Sequence, residues 1–134
     1  MNFFNAEAVI SHLLMDNNLC GNADNLALDQ NRPFDRPAAN QPLGEVTTGS
    51  WYQSAWTHMI KDADVVKGVP VCKNGFPLFM VPLIIYLGKT GTSVMQRHGI
   101  EPVMITLAFL TQKARNKTRE SWCPLGYLPD FDQK

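Results

Sequence analysis

From Ala6 onward the apolar residues fall at Ala6, Val9, Ile10, Leu13 and Leu14, a spacing of three and four that puts them on one face of a helix. Asn5 stands where a side-chain oxygen can cap the first turn, and Glu7 suits the positive end of the helix dipole. The stripe ends at Asp16-Asn17-Asn18. From Gly21 to Pro42, Asn, Asp and Pro dominate, the composition of a linker or a loosely docked arm. A second stripe, Tyr52, Ala55, Trp56, Met59, Ile60 and Ala63, predicts another amphipathic helix, and Ser50 with Gln53 three residues on reads as its capping box.

The pattern then changes period. Leu83-Ile84-Ile85-Tyr86-Leu87 is a near-continuous apolar run behind Pro82, which predicts a strand buried on both faces with the proline at its start or on an edge. After Pro102, Val103, Ile105, Leu107 and Phe109 alternate with Met104, Thr106, Ala108 and Leu110, the two-residue period of a second strand. The two are expected to pair antiparallel across a connection from Gly88 to Glu101, too long for a tight hairpin. The stretch from Gln112 to Lys134, broken by Pro124, Gly126 and Pro129, is expected to cover the sheet in turns, with a third strand near Trp122 to Leu128. The expected class is α+β: a short antiparallel sheet with two amphipathic helices. Its expected segments are an N-terminal helix (1–20), an Asn/Asp/Pro-rich linker (21–48) and the remainder (49–134).

Composition narrows the choices. The chain has 134 residues, room for one core, with 45% apolar and 18% charged residues, so wholesale disorder is excluded. Twelve Lys plus Arg balance twelve Asp plus Glu, which leaves no global field to draw the chain to nucleic acid or an anionic membrane. The start, MNFFNAEAVI, lacks the basic region of a secretory signal, and the apolar run Leu78 to Leu87 is broken by Pro82 and about half of the roughly 20 residues a spanning helix needs. A nuclear or cytoplasmic setting, neither secreted nor in a membrane, is expected. Cys20, Cys72 and Cys123 are few and widely spaced, and read as free thiols. In that setting the sequon Asn116-Lys117-Thr118 is a chance match.

Chemistry-bearing patterns are sparse. Gly88-Lys89-Thr90 imitates the end of a phosphate-binding loop, but the earlier glycine of that motif falls on Leu83, so Lys89 and Thr90 are expected in a strand-end loop. His12, His58 and His98 stand at ligand spacing neither with one another nor with the cysteines. Lys113, Arg115, Lys117 and Arg119 alternate; in an extended chain they would line one side, either as phosphate contacts to nucleic acid or as a solvated, charge-protected edge. Trp51, Tyr52 and Trp56 could stack on bases or form a core face, and their helical spacing favours the core.

One wider pattern adds a family. The residues are Trp51-Tyr52, then Val81 to Leu87 followed by Lys89-Thr90-Gly91-Thr92, then Glu101-Pro102-Val103, Arg115-Asn116 and Pro124-Leu125-Gly126-Tyr127-Leu128-Pro129. In order and spacing the segment from Trp51 through Leu128 resembles the N-terminal part of the catalytic region of Plavaka-type transposases. These belong to the Kyakuja-Dileera-Zisupton group of eukaryotic cut-and-paste elements.

The resemblance implies an RNase H-like fold, incomplete here, in which acidic residues hold magnesium or manganese for DNA strand cleavage and joining. It places the first acidic ligand at the end of the first strand, where family members have Asp and this chain has Gly88. The later ligands would lie beyond this chain, and no motif places Glu101, Asp130 or Asp132 at such a centre. Cys123, where a basic residue is expected before the proline, is a second departure. The reading implied is a fragment of a DDE-type transposase catalytic domain without catalysis, metal or small-molecule substrate. DNA would be met through Lys113, Arg115, Lys117 and Arg119, and unpaired sheet edges would be completed by self-association or a partner strand. The alternative is a small nucleic-acid-binding or protein-interaction module using the same basic stretch.

Overall fold

The computed structural model describes residues 2–28, 42–60, 72–88, 90–91, 99–117 and 119–129. In chain order these form β1 (Asn2–Phe3), α1 (Ala6–Met15), α2 (Ser50–Met59), β2 (Cys72–Lys73), β3 (Phe76–Pro77), β4 (Leu83–Leu87), β5 (Thr90–Gly91), β6 (Gly99–Leu107), α3 (Gln112–Lys117) and β7 (Cys123–Pro129). Single 3-10 turns lie at Ala23–Asn25, Val46–Thr48 and Arg119–Ser121.

The local chemistry explains most of the boundaries. Asn5 caps α1, its Oδ1 accepting the Ala8 N–H at 3.2 Å. Asp16 closes the helix, its Oδ1 accepting from Asn18 N at 2.8 Å and Leu19 N at 3.3 Å. The chain then doubles back so tightly that a Cβ at Gly21 would sit 2.5 Å from the Asn17 carbonyl oxygen, which leaves room only for glycine. The expected capping box on α2 is absent: Gly49 is the cap residue and makes no side-chain bond, and Ser50 is already the first helical residue.

The sheet is antiparallel throughout, in the order β1-β7-β6-β4, with β5 continuing beside β6. β4 meets β6 from Leu83↔Leu107 to Leu87↔Val103. β6 starts before the expected boundary, at Gly99, and runs through Pro102. The strand ends at Leu107, although Ala108 N still donates to Pro82 O at 2.8 Å; Ala108 and Phe109 form a turn, and Leu110 makes an isolated bridge to Leu26. The expected third strand is β7, joined to β6 with a shift of register between Val103 and Met104. The C-terminal stretch is thus a helix and a strand and not a cover of turns.

Leu13 and Leu19 pack with Ile105, Leu107, Phe109, Leu110 and Ala114 in one core, and Phe79 meets the edge of Phe109 with ring centres 5.5 Å apart. A second cluster joins Tyr52, Trp56 and Ile60 of the α2 region to Met80. The linker region is tied in at both ends: Leu26 bridges to Leu110, and Thr47 Oγ1 donates to Ala27 O at 2.7 Å. Segments 1–20 and 49–134 therefore share a core. The architecture is α+β, with a small antiparallel sheet and three helices where two were expected.

Thr106 is fully buried and its Oγ1 has no hydrogen-bond partner among the described residues. An unpaired buried hydroxyl is costly, so Thr106→Val is expected to raise stability by about 1 kcal/mol. Urea denaturation reads this directly, and a loss of stability would mean that the hydroxyl has a partner in solution.

Candidate functional site

Two places in the fold concern the expected site: the end of β4 and the basic stretch. At the first, Gly88 follows β4 with no side-chain oxygen to offer a metal. A Cβ at this position would lie 2.6 Å from Tyr86 Cε1 and Oη. The Tyr86 ring therefore occupies the space an acidic side chain would enter, and it leans edge-on against Trp122, ring centres 6.3 Å apart. Glu101 lies in β6 opposite Leu128, within the ladder to β7. Among the described residues no three His, Cys, Asp or Glu side chains converge to hold a metal ion. Lys89, the side chain of Thr90, Asp130, Asp132 and His98 lie outside the described residues.

The basic stretch departs from expectation. Residues 112–117 are the helix α3, not an extended chain, so alternate residues point to different sides and the one-sided row of cations does not form. Lys113 and Lys117 are exposed, four residues apart on one helix face. Arg115 is turned inward. Its Nη1 donates to the carbonyls of Ala108 and Leu110, and its Nη2 pairs with Glu45 Oε2 at 3.4 Å. Glu45 Oε1 accepts the Gln112 N–H at 2.8 Å, and the Arg115 carbonyl in turn accepts from Ser121 Oγ and Trp122 Nε1. Arg115 thus holds the 42–48 segment, the turn after β6 and the approach to β7 together. The side chain of Arg119 lies outside the described residues.

Of the aromatic trio, Tyr52 and Trp56 are buried and Trp51 is exposed. Neither buried ring is available for base stacking. His12 and His58 are exposed on α1 and α2. Cys20 and Cys123 are half-buried free thiols against the main core.

Burial first, and the Asp16 charge second, push both thiols above their ordinary range; burial does the same to the Tyr52 phenol. The fold favours the neutral form of each group. The stability they contribute is therefore complete below the thiol range of about 8.5 and is lost as pH rises through the raised folded values. Urea midpoints should be flat from neutral pH to about 8 and fall at alkaline pH. Alkylation of the two thiols should be slower in the native chain than in urea; equal rates would contradict the burial argument.

Sequence reasoning expected unpaired sheet edges but not that β4 would form one. β4 bonds to β6 on one side, and among the described residues no strand bonds to its other side. Ile85, Tyr86 and Leu87 are 58%, 56% and 59% exposed, where burial on both faces was expected. Ile85 and Leu87 stand opposite Ile105 and Val103, which are buried on the same face. Helix α1 packs on β7 and β6. The opposite edge is shielded by β1 on β7, continued by Phe4 N donating to Leu125 O at 2.8 Å. An apolar groove of about 470 Å³ beside this shielded edge is lined by Phe4, Ala8, His12 and Cys123, among others. Among the described residues no helix is long and apolar enough to cross a membrane. Family models, curated proteins and solved structures offer no match to the chain.

Proposed function

We propose that the chain is a partial catalytic region of transposase-like type that cuts no DNA and acts by binding through its open sheet edge. The observation that carries this reading is β4. Its run Leu-Ile-Ile-Tyr-Leu has the composition of an interior strand, yet it lies at the rim of the sheet with its second half exposed. A strand written for the interior and found at an edge is what a sheet lacking its next strand would present. The antiparallel set β4-β6-β7 would serve as one part of the mixed RNase H-like sheet that the sequence resemblance implies, with the absent strands beside β4.

Gly88 follows the same strand, with the Tyr86 ring over it, and this supports the absence of strand cleavage. Two-metal phosphoryl chemistry needs carboxylates converging from different elements. A setting with nucleic acid, in nucleus or cytoplasm, belongs to the same proposal. Direct contact with DNA falls to Lys113 and Lys117, since Arg115 is engaged with Glu45.

The test is incubation of the pure chain with supercoiled DNA and magnesium or manganese, with Gly88→Asp run alongside. Neither protein is expected to nick. Reproducible metal-dependent nicking by the unaltered chain would overturn the reading.

A further inference from the structure

We propose that the chain forms a two-fold symmetric dimer in which β4 pairs antiparallel with β4 of a second copy, the axis passing through Ile85. The inference goes beyond the transposase-like reading and stands without it. A chain that did nick DNA could still dimerise this way, and one that did not could stay monomeric.

The first ground is that, among the described residues, β4 lacks the devices that keep edges apart. Natural edges carry a charge, a proline, a bulge or a covering element. The five residues Leu83–Leu87 contain no charge and no proline. The register shift in the sheet lies between β6 and β7, away from this rim. A lone exposed Leu would mean little, but here the exposed side chains are continuous with the core. Ile85 and Leu87 extend the face on which Ile105 and Val103 are 2% and 6% exposed.

The second ground selects the occupant. A two-fold axis at Ile85 sets Leu83 opposite Leu87 of the second copy and Ile84 opposite its Tyr86, so every cross-strand pair is apolar and no charge meets a charge. A partner strand bearing charges would find nothing on β4 to pair with them. Opposite residues in an antiparallel ladder share a face, so the axis must pass through a residue and not between two. Of the residues available, Ile85 is the middle one and engages all five. The formal net charge of zero offers no long-range repulsion between copies.

The third ground sets closure. The far edge of the sheet is occupied by Asn2–Phe3 on β7, so β4 of one copy cannot add to β7 of the next. The far rim itself is β1, only Asn2–Phe3 long, so the same β4 edge in both copies offers the longer pairing among the described residues. An interface that uses one patch twice closes as a dimer, whereas head-to-tail addition would run on as a fibre.

Sedimentation velocity over a dilution series tests the state directly. The expected result is twice the chain mass of 15.0 kDa at high concentration, falling toward the single-chain value on dilution. Ile85→Lys should be monomeric throughout, with an unchanged circular dichroism spectrum, because the side chain at this position already reaches water. Ile85→Cys should yield a covalent dimer under mild oxidation, with the unaltered chain and its native thiols as baseline. Across the axis its two Cα atoms would lie about 4.5–5.5 Å apart, inside disulfide range. Leu83→Cys should not cross-link, since its two copies would stand about 14 Å apart along the strands. A monomer at the highest concentration overturns the proposal, as does a persistent dimer in Ile85→Lys or equal cross-linking at positions 83 and 85. Should Ile85→Lys fail to fold, the contrast between the two cysteine variants decides.

Discussion

Arg115→Ala should lower the stability of the chain by about 2–3 kcal/mol, whereas Lys113→Ala and Lys117→Ala should each leave it within about 0.5 kcal/mol. All three belong to one basic stretch, and what separates them is where the side chains go. The Arg115 side chain is 11% exposed and the Glu45 side chain 26%. Removing the guanidinium strips the buried Ala108 and Leu110 carbonyls of their donor and leaves a half-buried carboxylate with the Gln112 N–H as its remaining partner. Partial exposure of Glu45 lets water recover part of the loss, which keeps the figure below that of a fully buried pair. Arg115→Lys keeps the charge but not the fork that reaches two carbonyls and a carboxylate at once, so it should fall between, at about 1–2 kcal/mol. Urea unfolding followed by circular dichroism measures all four, and the Ala variant should melt about 10 °C lower. If Arg115→Ala kept full stability but lost affinity for DNA, the arginine would be a phosphate contact after all.

The contrast shows what the sequence could and could not disclose. Alternation in a run of cations is the same string whether the chain is extended or helical, and only the helix turns Arg115 inward. Glu45, its partner, lies seventy positions away in a stretch whose Asn, Asp and Pro content spoke for a linker. Local pattern carries no information about a pair so distant.

Elements governed by their own neighbours were legible: the Asn5 cap, the α1 stripe, the strand at Leu83–Leu87 and the alternation that became β6. The capping box failed because Ser50 lies one position inside the helix, and a box motif does not fix its own register. One local signal was present and went unread. Asn74-Gly75 takes positive φ at both residues, 54° and 81°, and joins β2 to β3 in a two-residue hairpin.

The apolar run of β4 was read rightly as a strand and placed wrongly in depth. Hydrophobicity tells what a strand is suited to, whereas burial depends on which other elements are there to cover it. The candidate site was legible only as an absence, the glycine at position 88. The Tyr86 ring that fills its space, and the edge beside it, are matters of three-dimensional placement.

Leu13→Ala carries the largest expected cost, about 3–4 kcal/mol, and decides whether the N-terminal helix is part of the domain. Leu13 is wholly buried, in one core with Leu19, Ile105 and Leu107, and truncation there would remove its contacts and leave a void that a packed core closes only in part. Leu14, one position on and 37% exposed, serves as the control and should cost under about 1 kcal/mol as Ala. The single-transition character of unfolding should survive in both variants, because α1 and the sheet share that core and have no reason to melt apart. A helix tethered by an Asn/Asp/Pro-rich linker and packed on nothing would behave otherwise. Leu13→Ala would then change helical signal alone and leave the midpoint of the sheet where it was. Following the unfolding of both variants by far-ultraviolet circular dichroism and by tryptophan fluorescence separates these outcomes, since Trp51, Trp56 and Trp122 all lie outside α1. Coincident curves displaced together to lower urea would place α1 within the cooperative unit. The same result would leave β4 as the rim of that unit at which apolar strand surface still faces water.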